Sequence, residues 1–177
     1  MASADLPTTT ILLIDGNADD RTYYADRLKH ALPDCDILEA SDGHSGLDLL
    51  QWRHVDCIVI ELTLTDMSAF EVLLRVVPVK QRQKVAFVML SRVTLPSIAD
   101  LARQYGAQSV LIKRFTSGDE LALAIQKAIA WWHRLAKKRN RDEMQTPCMN
   151  QATPSSDRRS DSPVSHSAKY YSLILTH

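Results

Sequence analysis

Residues 56–61 read Asp-Cys-Ile-Val-Ile-Glu. The four apolar residues from Cys57 to Ile60 leave neither face of a strand polar, and three of them are β-branched. Such a run fits a strand buried on both faces in the middle of a parallel sheet. It stops at an acid, Glu61. In open α/β sheets chemistry collects at the carboxyl ends of the strands, so this is where the sequence places its site.

Three other stretches share the pattern. Residues 9–15 (TTILLID) end at Asp15, residues 85–90 (VAFVML) end before Ser91, and residues 109–112 (SVLI) end before Lys113. Residues 36–40 (DILEA) are more polar and suit a sheet edge. Helical spacing fills the gaps. Asn17 with Asp20 three residues on reads as a cap for a helix reaching about Leu32. A second helix is expected over residues 45–52, with Leu47 and Leu50 inward. A third, over residues 68–77, would bury Phe70, Leu73, Leu74 and Val77 and end at Pro78. The loop before it, residues 62–68, is long enough to cover a site. Thr94 and Pro96 open a fourth helix that Gly106 stops in the left-handed conformation. Ser117 and Glu120 have capping-box spacing. They open a fifth helix with Leu121, Ile125, Ala128, Ile129 and Trp132 on one stripe, running to about Arg139. Strand and helix thus alternate five times. This predicts a flavodoxin-like, doubly wound, five-stranded parallel sheet of order 2-1-3-4-5 with five helices.

The chain has 177 residues, enough for one domain and a tail. Residues 1–8 read as a flexible arm, 9–140 as the domain and 141–177 as a mostly disordered tail, because residues 142–168 are rich in Ser, Thr, Pro, Asp and Arg. The apolar stretch Tyr170 to Leu175 leaves docking, partner binding or no role open. Lys+Arg and Asp+Glu both number 21, so no net field recruits nucleic acid or an anionic membrane. No run approaches the ~18 apolar residues of a membrane span, and the N-terminus lacks the pattern of a signal peptide. A soluble, cytoplasmic protein is expected, with Cys35, Cys57 and Cys148 as reduced thiols. The basic run from His133 to Arg141 reads as a solvated helix end whose cations suit the helix dipole. Contact with nucleic acid or an acidic partner is the alternative. Trp131 and Trp132 read as packing or a dimer contact. No phosphate-binding loop, nucleophile elbow or zinc-protease motif occurs, and no enzymatic activity is expected.

Four polar groups therefore fall at strand ends: Asp15, Glu61, Ser91 and Lys113. Strands 1, 3, 4 and 5 are neighbours in the expected order, so these side chains can converge into a small cluster of anions and cations.

These residues carry a resemblance. ILLIDGNADDR, DCIVIELTLTDMSAFEVL, VAFVMLSR and GAQSVLIKRF resemble, in order, the motifs of the receiver domain of two-component response regulators. The resemblance covers about residues 9–133. It implies that Glu61 stands at the phosphoacceptor position, where the family has Asp. It puts the two acidic turn residues at Asp15 and Gly16, so the second acid, usually the main metal ligand, is missing. Asp15 and Glu61 remain as metal ligands, and Mg²⁺ binding is weakened by Gly16. Ser91 and Lys113 match the family's hydroxyl and lysine. Arg114 replaces the usual Pro, Val110 replaces the aromatic switch, and Ala69 replaces the usual Gly.

Phosphoryl transfer to a carboxylate needs an in-line nucleophile and a metal that neutralises the phosphoryl oxygens. Gly16 removes a ligand. Glu61 carries its carboxylate one methylene further out, and ~1 Å of misplacement can cost about a hundredfold in rate. The sequence therefore points to an atypical receiver, or pseudo-receiver, acting by protein–protein interaction. Its expected partners are a histidine kinase or an output protein, with a homodimer through the face of the last two helices and strands as a further option. Glu61 either holds an active-like state by reaching Lys113 and Ser91, or pairs with Lys113 as a structural relic. Two alternatives stay open: a receiver with residual Mg²⁺-dependent phosphorylation, and a binding module whose basic helix end and tail contact nucleic acid or protein.

Overall fold

The computed structural model describes residues 9–76, 85–94 and 96–144, without the side chains of 136 and 138–144. The arm, the turn at 80–84, Val77, Pro78 and the tail beyond 144 lie outside the described residues. The elements are β1 (Thr9–Ile14), α1 (Ala18–Ala31), β2 (Cys35–Ala40), α2 (Gly43–Trp52), β3 (Cys57–Glu61), α3 (Ala69–Val76), β4 (Ala86–Ser91), α4 (Pro96–Gln104), β5 (Ser109–Ile112) and α5 (Gly118–Met144). The sheet is parallel and its order is β2-β1-β3-β4-β5, as the alternation of strands and helices predicts.

Strand periodicity divides the core into two layers. Leu12, Ile14, Ile58, Ile60, Phe87 and Met89 face one side and pack with residues of α2, α3 and α4. Ile11, Leu13, Cys57, Val59, Val88 and Leu90 face the other and pack against α1 and α5, through Tyr24, Leu28, Leu121 and Ile125. All five residues of β3 are buried, which is why its sequence carries no alternation. The more polar β2 lies at the edge.

Helix starts follow local capping chemistry. Asn17 accepts the Asp20 N–H at 2.9 Å. Ser117 and Glu120 form the expected reciprocal box, with Glu120 Oε2 accepting the Ser117 N–H at 2.8 Å. Gly106, at φ 104°, ends α4 in the left-handed region.

Three details differ from the sequence reading. Helix α2 begins at Gly43, because the Asp42 carboxylate accepts the Ser45 N–H and caps two residues earlier. Helix α3 buries Ala69, Val72, Leu73 and Val76, while Leu74 is 47% exposed. Leu73 is buried and Phe70 packs half-buried on the core, as the spacing predicts, but six apolar residues crowd this short helix and Leu74 falls outside the buried face. Helix α5 runs to Met144, past the compositional break at 141. No helix among the described residues is long and apolar enough to cross a membrane.

Candidate functional site

The parallel register brings the strand ends level. Ile14 pairs with Ile60, Glu61 with Leu90, and Ser91 with Ile112. Asp15, Arg92 and Lys113 each follow directly on a strand. The carboxyl edge of the sheet thus presents Asp15, Glu61, Ser91 and Lys113 from four adjacent strands.

Lys113 is the centre of the cluster. Its Nζ lies 2.6 Å from Asp15 Oδ2, 2.8 Å from Asp20 Oδ2 and 2.7 Å from Glu61 Oε2. Asp15 is fully buried and the side chains of Lys113 and Glu61 are 7% and 8% exposed. Tyr24, buried on the inner side of α1, donates to the Lys113 carbonyl at 3.2 Å and ties α1 to the turn that follows β5. Asp15 is fixed from its other side, where Oδ1 accepts the Asn17 N–H at 3.0 Å. Its carbonyl accepts from Arg21 Nη1 at 2.7 Å.

Two members were not read from the sequence. Asp20, taken as part of a helix cap, turns from the first turn of α1 onto Lys113. Arg92 bridges two acids: its Nε lies 3.0 Å from Glu61 Oε1 and its Nη2 lies 2.8 Å from Asp20 Oδ2. Helical position was the available signal for Asp20, because a residue three after the cap faces back over the preceding strand end. No periodicity fixes the direction of Arg92.

Ser91 is buried, but its hydroxyl does not serve Glu61 as expected. It donates to the Val93 carbonyl at 2.8 Å and accepts the Val93 N–H at 3.1 Å. The expected Glu61 contact to Ser91 is replaced by Arg92, because the hydroxyl is taken up closing its own turn. Val110 packs half-buried on the inner core, and Arg114 lies over the Phe115 ring at 4.6 Å. Ala69 is fully buried at the start of α3.

The electrostatics follow from these contacts. Burial raises the affinity of Glu61 for a proton and the Asp15 carboxylate adds to this, against the pull of Lys113. Burial works against the Lys113 ammonium, but hydrogen bonds to Asp15, Asp20 and Glu61 outweigh it and hold its pKa above the ordinary value. Asp20 moves down, since Lys113 and Arg92 outweigh its desolvation. The negative field of Glu61 raises the pKa of Arg92.

The oxygens of Asp15, Asp20 and Glu61 lie within 4.8 Å of one another, a spacing that can surround a metal ion. A Cβ on Gly16 would meet the Ser41 carbonyl at 3.6 Å and Thr65 Cγ2 at 3.8 Å, both ordinary van der Waals contacts.

The loop between β3 and α3 is tied to the start of α2. Asp66 accepts the N–H groups of Gly43 and His44, each at 2.9 Å, at the start of α2.

The family model of the response regulator receiver domain matches residues 11–126. A search of the curated proteins found no match. Among solved structures, the chain is similar to a response regulator receiver domain protein from Clostridium thermocellum. The TM-score is 0.64 at 21% identity, covering 72% of this chain and 98% of that one. It is similar to the chemotaxis response regulator CheY4 of Vibrio cholerae, with TM-score 0.61 at 21% identity, covering 68% and 98%. It also resembles the signal receiver domain of the putative response regulator NarL from Mycobacterium tuberculosis. That match has TM-score 0.62 at 19% identity and covers 70% and 97%. At these identities the structures establish the fold alone.

Proposed function

Because the chain belongs to the family of response regulator receiver domains, we propose that it is an atypical receiver that signals by protein–protein contact without accepting a phosphoryl group at Glu61. Receiver domains commonly bind Mg²⁺ through an acidic cluster and work with histidine kinases and output domains. One observation carries the proposal: the Glu61 carboxylate is already paired with Lys113 at 2.7 Å and Arg92 at 3.0 Å. A carboxylate held by two cations is a poor in-line nucleophile, because attack must first break charge-assisted contacts. Gly16 offers no second ligand beside Asp15. Val110 has no ring to rotate, so a readout through an aromatic in β5 is absent as well.

Glu61 supplies about one negative charge where a phosphoryl group supplies nearly two. It therefore biases the domain by a fixed charge and carries out no chemistry. The contact face we assign is the groove between α4, β5 and α5, lined by Arg103, Leu111, Leu123, Lys127, Trp131 and Arg134. Leu123 and Trp131 are 49% and 42% exposed there. A histidine kinase, an output protein or a second copy of the chain is the class of partner. The balanced charge does not favour nucleic acid.

Asp20 favours a second reading. It brings a third carboxylate to the cluster and so partly compensates for Gly16, which would leave residual Mg²⁺-dependent phosphorylation. The two readings separate when the protein is incubated with Mg²⁺ and a small acyl phosphate and its intact mass is recorded. The wild type stays unmodified and Glu61→Asp combined with Gly16→Asp gains a phosphoryl group. A phosphoryl group on wild-type Glu61 overturns the proposal.

A further inference from the structure

The acidic cluster invites a divalent cation, but its donor atoms do not fit one as they stand. Mg²⁺ requires near-octahedral oxygens at roughly 2.0–2.1 Å and keeps several waters. Here the oxygens that would face it are already bound to nitrogen. Lys113 Nζ takes one oxygen from each acid, and Arg92 takes the second Glu61 oxygen and shares Asp20 Oδ2.

We infer that Arg92 is the resident counter-ion of this pocket, standing where a divalent cation would stand and closing the cluster to metal. This rests on the reading of the pocket given above, and it names the residue that enforces it. Three carboxylates face two cations, so the cluster holds one unbalanced negative charge with Arg92 in place and two without it. The Lys113 side chain is 7% exposed, whereas that of Arg92 is 53% exposed and reaches the acids from the solvent side. An incoming ion therefore meets Arg92 first and must displace it. The guanidinium is planar, always charged and able to reach two carboxylates at once, which suits it to bridging α1 and β3. Its backbone is placed for this by the Ser91–Val93 turn, which directs residue 92 over the strand ends.

The proposal is tested by Mn²⁺ titration of the full chain, followed by calorimetry and electron paramagnetic resonance, with circular dichroism to check folding. Wild type and Arg92→Lys bind Mn²⁺ weakly and alike. Arg92→Gln binds at least tenfold more tightly, and adding Asp20→Asn removes the gain. The inference is overturned if wild type binds as tightly as Arg92→Gln, if Arg92→Lys gains as much, or if the gain survives Asp20→Asn. The functional reading fails on a different signal, a phosphoryl group on wild-type Glu61, so the two failures are distinguishable.

Discussion

Lys113 Nζ lies 2.7 Å from Glu61 Oε2, with both side chains more than nine-tenths buried. The ammonium also touches Asp15 and Asp20, so Lys113 pairs with all three acids at the sheet edge, while Arg92 shares Asp20 and Glu61. Breaking a buried pair from one side leaves charge without compensation and typically costs about 3–5 kcal/mol. Lys113→Met is expected to lower stability by an amount of that order in urea unfolding. In a Glu61→Gln background the same substitution costs less, because fewer charges are stranded. Equal costs in the two backgrounds would show that the residues are not coupled.

Asp66 gives a pH signature away from the cluster. Burial pushes its pKa up, but the N–H groups of Gly43 and His44, with the His44 side chain, outweigh this and set it at about 2, below the ordinary 3.8. The folded value is the depressed one, so its stabilisation is full above 3.8 and drains away as pH falls towards 2. A carboxyl-carbon NMR titration should give a midpoint near 2 for Asp66. A midpoint at the ordinary value would contradict the contact. Asp66→Ala should cost about 1 kcal/mol at neutral pH, the size of a lost helix cap.

Helix α2 sits close to the sheet because Gly46 has no side chain. A Cβ there would collide with Ile14 Cδ1 and crowd Ile14 Cγ1 at 3.1 Å. Ile14 is fully buried at the end of β1, one residue before Asp15. Gly46→Ala should therefore lower stability by about 1–3 kcal/mol, as overpacking does, although Ala is the better helix former. A gain in thermal stability would show that the packing has room.

The sheet and three of the site's charged residues were legible because both follow from strand runs. A run such as CIVIE fixes a buried strand, and in a parallel sheet the residues at the ends of neighbouring strands must meet. Asp15, Glu61 and Lys113 follow from that rule alone. Asp20 and Arg92 do not: Asp20 lies in the first turn of α1, and at the end of β4 the strand run points to Ser91 and leaves the direction of residue 92 to the local turn. Ser91 was placed at the right position, but a hydroxyl has near partners in its own turn and took Val93. Leu74 of α3 was misplaced for a different reason. In Ala69–Val76 the apolar residues outnumber the positions a single face can bury, so spacing does not pick the face that the sheet selects.

The most direct test uses the wild-type protein labelled with ¹⁵N and adds Mg²⁺ and beryllofluoride, a phosphoryl mimic that needs a competent metal site and a free acceptor carboxylate. If Glu61 is held by Lys113 and Arg92, the amide spectrum should show no saturable shifts at the ends of β3, β4 and β5. Saturable shifts at Glu61, Ser91, Arg92 and Lys113 would mean that the pocket accepts a phosphoryl-like group, and would contradict the account.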